Sequence, residues 1–227
     1  MLRFERLEKR YGSKTVLDGV GHVFGTGCHA LRGPNGSGKS TLLKALAGVE
    51  RIDGGEVWIG NHSLIDSPVD AKRRLSFVPD TCPVYPFMTG YALLEFVASA
   101  KKTSIEPNTL DFAAQLGLSN YLDSRIEQMS LGTQKKTMLV AASIGSPAVL
   151  IADEPSNGID DTARKVIAAF FVETARSATV LFSTHDIAFA ELCGATPIGM
   201  PVETDPTQMV TDMKHLHVVA ANGRSSG

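Results

Sequence analysis

Three short apolar runs recur along the chain, each closing in polar residues: CHALRG (Cys28 to Gly33), AVLIAD (Ala148 to Asp153) and ATVLFST (Ala178 to Thr184). Unbroken apolar character over a few residues is what a strand covered on both faces requires, so these runs predict parallel strands of an α/β sheet. Ligands of such sheets gather at the carboxyl ends of the strands, which directs attention to Gly33, Asp153 and Thr184. The N-terminal pattern differs. LRFERL, TVLDGVGHVF and GGEVWIG alternate and turn at glycines, as antiparallel strands do. From about Val84 to Gly145 the spacing changes to three and four, in GYALLEFVASAKK, TLDFAAQLGL and TQKKTMLVAASIG, and the expectation is a helical insert. The expected division is one domain in which 1–83 and 146–227 form the α/β core with its β portion, and 84–145 the helical part. The closing ANGRSSG is small and polar and reads as a frayed end.

Composition narrows the class. With 227 residues and 43% hydrophobic content the chain can bury a sizeable core. Twenty-two Lys and Arg against 24 Asp and Glu give a formal net charge of −2, so no bulk positive field gathers nucleic acid, and no direct nucleic-acid partner is expected. Cys28, Cys82 and Cys193 lie far apart in sequence and in no metal-ligand spacing, which reads as isolated thiols in a reducing compartment such as the cytoplasm. No apolar run approaches the ~18 residues that span a bilayer. Membrane association is therefore expected only through another chain.

The first chemical motif is GPNGSGKST, Gly33 through Thr41 by way of Pro34, Asn35, Gly36, Ser37, Gly38, Lys39 and Ser40. Gly33, Gly38, Lys39 and Ser40 match the phosphate-loop spacing, with a strand before and a helix after. Glycines let backbone N–H groups turn inward around phosphates. The helix N-terminus adds its positive end, Lys39 reaches the β- and γ-phosphates, and the Ser40 hydroxyl ligates Mg²⁺.

A second motif is VLIADEPSNGIDD. An apolar strand delivers Asp153 to the sheet edge, where a carboxylate holds Mg²⁺ through water, and Glu154 follows directly. Neighbours on a strand point to opposite faces, so the two acids take different roles; Glu154 is placed to orient the attacking water. Past the third apolar run, LFSTHD sets His185 where an imidazole reaches the γ-phosphate or holds Glu154 and the water in line.

A third motif, MSLGTQKK, puts Ser130 and Gly132 ahead of a helix, where a hydroxyl, bare backbone N–H groups and a helix N-terminus converge on an anion. Locally, an ordinary N-cap by Ser130 reads equally well. The order of the pieces, from phosphate loop through helical insert and this turn to the acidic strand end and His185, resembles the ABC-type ATPases over nearly the whole chain. That resemblance implies a P-loop NTPase (RecA-like) α/β core with an N-terminal antiparallel β subdomain and an inserted α-helical subdomain.

Carried across residue by residue, the resemblance makes Tyr11 the aromatic that stacks on adenine, GPNGSGKST the Walker A loop and MSLGTQKK the signature. It makes IADEP the Walker B segment, SNGID the D-loop and His185 the switch histidine. It implies ATP and Mg²⁺ as ligands and a head-to-tail homodimer, or a heterodimer with a second ATP-binding subunit, in which each signature turn covers ATP held by the other chain. It further implies a membrane-spanning transporter subunit as partner, docked near Val84 to Lys101, and a peripheral place at the cytoplasmic face of the membrane. Departures from the family pattern are Leu131 for the first signature glycine, Thr133 for its glutamine, and Asp80 for the Q-loop glutamine, which sets a carboxylate beside the expected Mg²⁺. Asp80 and the PVYPFMTGYALLEF that follows look similar to the ABC-2 type export branch. Soluble ABC-type ATPases of DNA repair or ribosomes are the alternative, though those usually carry two cassettes or long coiled-coil insertions. A P-loop kinase lacks the signature turn and switch histidine, and a regulatory ATP-binding module has no use for Glu154 and His185.

Overall fold

The computed structural model describes residues 1–200; the small polar end ANGRSSG lies outside them. Two sheets stand against each other. Strands β1 (Leu2–Tyr11), β2 (Lys14–Phe24), β4 (Gly54–Ile59) and β5 (His62–Ser63) form an antiparallel sheet in the order β2-β1-β4-β5. Strands β3 (Gly27–Arg32), β6 (Leu75–Val78), β7 (Val149–Asp153), β8 (Thr179–Ser183) and β9 (Thr196–Gly199) form a parallel sheet in the order β6-β7-β8-β3-β9. The three apolar runs are its three central strands. The edge strands β6 and β9 escape sequence reading because each is four residues long, and β9, TPIG, is mostly exposed and has no alternation.

The burial of β7 shows why its sequence is apolar throughout. Val149 and Ile151 enter one core, shared with Leu2, Phe4 and Phe24 of the antiparallel sheet and with Leu42 and Leu46 of α1 (Lys39–Leu46). Leu150 and Ala152 enter a second core on the opposite face. There the sheet packs on Leu94 of α3 (Gly90–Lys101), Phe112 of α4 (Pro107–Gln115) and Leu139 of α5 (Leu131–Ser143). Phe171 of α6 (Asp161–Thr174) and Phe189 of α7 (Ile187–Leu192) complete it. A short helix, α2 (Pro68–Arg73), leads into β6. Helices α3 to α5 all fall between β6 and β7 in the chain. Their layer is tied to the sheet by Lys101, whose ammonium donates to Ser76 Oγ at 2.6 Å and to the carbonyl of Ile144 at 2.8 Å; burial lowers its pKa to about 8.

Two expectations need correction. Helix α5 begins at Leu131, two residues earlier than its apolar period suggests, so Gly132 lies inside the first turn and not ahead of it. The thiols of Cys28 and Cys193 are not isolated from each other. Cys28 lies on β3 and Cys193 at the end of α7, and the crossover geometry brings them into hydrogen-bond contact in the second core.

Phe171 is fully buried and its ring meets Phe170, Phe182 and Phe189 with centroids 5.5 to 6.0 Å apart. Phe171→Ala should lower the unfolding free energy by about 3–5 kcal/mol through lost burial and a residual cavity, read from urea titration. A loss below about 1 kcal/mol would mean that the cluster collapses onto the vacancy.

Candidate functional site

The phosphate loop joins β3 to α1. Gly38 takes φ 98°, and a Cβ there would stand 2.9 Å from Val16 Cγ1, so backbone conformation and space both require glycine. Lys39, only 8% exposed, folds back so that Nζ donates to the carbonyls of Gly33 (2.8 Å) and Pro34 (3.1 Å). Ser37 Oγ is buried with no hydrogen-bond partner. A buried cation with only neutral acceptors and an orphaned hydroxyl in one loop both suit an anion lying in that loop.

The acidic strand end is a small network. Strand β7 stops at Asp153, beside Ser183 in the parallel register. Ser183 Oγ donates to Asp153 Oδ1 at 2.6 Å and accepts the N–H of Glu154 at 2.9 Å. Glu154 then turns into the left-handed region with φ 47°, a conformation that costs a non-glycine residue ~1–2 kcal/mol. This reversal lets two adjacent acids diverge. Asp153 stays buried, while the Glu154 carboxylate swings out to His185, accepting from its backbone N–H at 3.3 Å and standing 3.3 Å from Nε2.

A cleft of about 730 Å³ brings much of this together. Tyr11, Asn35, Gly36, Gly38, Lys39, Ser40, Thr41, Glu154 and His185 line it, so the aromatic, the phosphate loop and the diverging acid share one space. Tyr11 is 47% exposed and has Lys9 Nζ 4.8 Å from its ring centroid; Lys9 is in turn salt-bridged to Glu50 at 2.8 Å. The cleft also holds Lys14, Asn157, Gly158 and Arg164, the last reaching Asp161 and Asp186. Arg164 carries no local sequence signal. Ser183 stands at the end of the third apolar run, and its pairing to Asp153 is visible only once the strand order is known.

Ser130 and Gly132 do not line this cleft. Ser130 caps α5, its Oγ accepting the N–H of Thr133 at 3.1 Å and lying 2.8 Å from Thr133 Oγ1. The neighbouring Leu131 is 83% exposed, with its side chain on no core. Gly132 packs on the loop after β7, and a Cβ there would come within 2.9 Å of the Gly158 carbonyl. Asp80 is placed differently from its sequence expectation. It does not line the cleft; its Oδ1 accepts from Lys135 Nζ of α5 at 2.8 Å. Among the described residues no group of three or more His, Cys, Asp or Glu could hold a metal ion by itself.

Fold and cleft together define a P-loop NTPase. The sequence model of the family described as ABC transporter matches residues 23–157, and the chain belongs to that family. It is similar to the Nod factor export ATP-binding protein I of Paraburkholderia xenovorans, 34% identical over 201 residues that cover 85% of this chain and 65% of the relative. It is also similar to the linearmycin resistance ATP-binding protein LnrL of Bacillus subtilis, 31% identical over 199 residues covering 82% and 61%. The chain thus spans under two thirds of the length of these curated relatives. A solved ATP binding subunit of an ABC transporter superposes with a TM-score of 0.81 at 29% identity, over 88% of this chain and 85% of that one. A dimeric ATP-binding cassette bound to ADP and Pi shares the fold, with a TM-score of 0.75 at 22% identity over 88% and 94%.

The Gly132 contact has a consequence for a single chain. Gly132→Ala should destabilise the isolated protein by about 1–3 kcal/mol without nucleotide or partner, because the added Cβ meets a backbone carbonyl. An unchanged urea midpoint would show that the 157–158 loop yields freely.

Proposed function

We propose that this chain binds and hydrolyses MgATP and so powers export through a separate membrane-spanning subunit. The observation that carries the reading is the single cleft in which Tyr11, the Lys39 loop, Glu154 and His185 face one another. Adenine stacks on the exposed Tyr11 ring, and the triphosphate runs into the loop, where Lys39 exchanges its two carbonyl partners for β- and γ-phosphate oxygens. Mg²⁺ would be held by the Ser40 hydroxyl and, through water, by Asp153, and when bound would supply positive charge beside the γ-phosphoryl group. So few protein ligands suit Mg²⁺, which commonly keeps several waters.

Glu154 orients the attacking water and takes its proton as the water oxygen bonds to the γ-phosphorus. The bond to the bridging oxygen breaks, leaving ADP and inorganic phosphate. His185, already 3.3 Å from the Glu154 carboxylate, keeps that side chain turned toward the cleft. Ser130 and Gly132, which do not line their own chain's cleft, serve ATP bound by a second copy or a second ATP-binding subunit.

The export direction draws on the names of the relatives, one for Nod factor export and one for linearmycin resistance. No helix among the described residues is long and apolar enough to cross a membrane. The membrane subunit docks on the aromatic surface before and along α3. Tyr85 and Phe87 stack there with centroids 5.5 Å apart, 67% and 65% exposed, and Tyr91 and Phe96 are also exposed. On this reading the chain works at the cytoplasmic face, peripheral to the bilayer.

Lys39→Ala should abolish ATP binding by calorimetry. Glu154→Gln should keep binding while turnover falls about 10²- to 10⁴-fold, and it should elute as a dimer with ATP. Full turnover by Glu154→Gln would remove Glu154 as the base. Intact ATP binding by Lys39→Ala would remove the loop as the phosphate site.

A further inference from the structure

We infer that Lys135 is a positioning residue for Glu154, and that Asp80 is the acid that keeps Lys135 in place. The inference rests on Glu154 acting as the base. Lys135 belongs to α5, the helix that begins at the Ser130 turn, yet its side chain is 7% exposed and points under the cleft. Its ammonium meets three oxygens: Asp80 Oδ1 at 2.8 Å, the Glu154 carbonyl at 2.9 Å and the Asn157 carbonyl at 3.5 Å. An ammonium has three N–H groups, so this donor set is full.

The two carbonyls bracket the turn that follows β7. The Glu154 carbonyl also accepts the N–H of Asn157 at 3.1 Å, so Lys135 reinforces a turn that closes on itself. Glu154 is the residue held at φ 47°, and such a conformation persists only where its surroundings fix it. Ser183 holds its N–H and Lys135 its carbonyl, so the backbone is clamped on both sides of the Cα from which the carboxylate departs. Lys135 itself does not line the cleft, and it touches the reaction only through this turn.

Asp80 supplies what the position lacks. A buried ammonium with carbonyls alone is poorly compensated. The Asp80 carboxylate supplies the missing negative charge. The loop after β6, the helix of the Ser130 turn and the backbone of Glu154 therefore meet at one ion pair. A shift of the Asp80 loop or of α5 would pull on the residue that places the water.

The test compares Lys135→Met, Lys135→Arg and Asp80→Asn in the full chain, measuring kcat, KM for ATP, ATP affinity by calorimetry and melting temperature. Lys135→Met should lower kcat by roughly 10- to 100-fold, the scale of a misplaced catalytic group, with ATP affinity within about twofold of the parent. Lys135→Arg, which keeps the charge but not the compact three-donor head, should recover part of that loss. Asp80→Asn should lower kcat less than Lys135→Met does, with its Mg²⁺ titration unmoved. Combined with Glu154→Gln, Lys135→Met should cost nothing further, because both changes act through one group.

Parent-like turnover by Lys135→Met, with Glu154→Gln inactive, would overturn the inference and leave the function standing. Turnover by Glu154→Gln would instead remove the function reading itself. ATP affinity lost in step with kcat would reduce Lys135 to a structural residue. A shifted Mg²⁺ optimum in Asp80→Asn would make Asp80 a cation ligand. If Lys135→Met does not fold, the kcat order of parent, Asp80→Asn and Lys135→Arg decides: parent-like kcat in both variants contradicts the inference, and losses at constant ATP affinity support it.

Discussion

The parallel pairing of β3, β7 and β8 sets Leu31, Asp153 and Ser183 side by side across the sheet, so three strands release their chains at one edge. The phosphate loop, Glu154 and His185 meet in the cleft because of that alignment. After β3 the chain turns into the phosphate loop, after β7 it reverses at Glu154, and after β8 it reaches His185. A slip of one residue between β7 and β8 would separate Ser183 from Asp153, which the Ser183 hydroxyl now joins to the Glu154 N–H. The apolar side chains that fix the register, Val149 and Ile151 on one face and Leu150 and Ala152 on the other, therefore determine where the charges stand.

A second consequence is the division of labour between adjacent acids. On a continuing strand Asp153 and Glu154 would point to opposite faces of the sheet. Ending the strand at Asp153 and placing Glu154 in the left-handed region gives one buried acid pinned by Ser183 and one acid free to face the cleft. The strain this stores is met by hydrogen bonds on both sides of the residue, one from β8 and one from α5. The helical layer is thereby joined to the chemistry through the Glu154 backbone.

Much of this was legible in sequence, and beyond the short edge strands and the start of α5 the failures have a common cause. The central strands showed as apolar runs because each is buried on both faces, and the phosphate loop showed because its glycines are dictated by local backbone. What sequence hid were contacts between segments distant in the chain. The Cys28 and Cys193 thiols touch because β3 and α7 are brought together by the crossover. Asp80, read as a neighbour of Mg²⁺, lies against Lys135, a residue inside the quoted signature stretch but without a motif of its own. Gly132 shows the limit most clearly: read as a glycine kept bare for a phosphate, it also has the Gly158 carbonyl of its own chain at its back.

The central claim is that hydrolysis occurs between two chains, the Lys39 loop of one facing the Ser130 turn of the other. The most direct measurement mixes two variants, Lys39→Ala and Leu131→Asp, each of which the account predicts to be inactive alone. Leu131 suits this test because its side chain is solvent-exposed and an acid is tolerated at a helix start, so the change acts on whatever approaches that turn. In a mixed dimer of two-fold symmetry one site carries both lesions and the other neither, so freely exchanging chains should regain about a quarter of the parent ATPase activity. A mixture as inactive as its components, with heterodimers verified through distinct tags, would contradict the composite site and leave the turn serving its own chain alone.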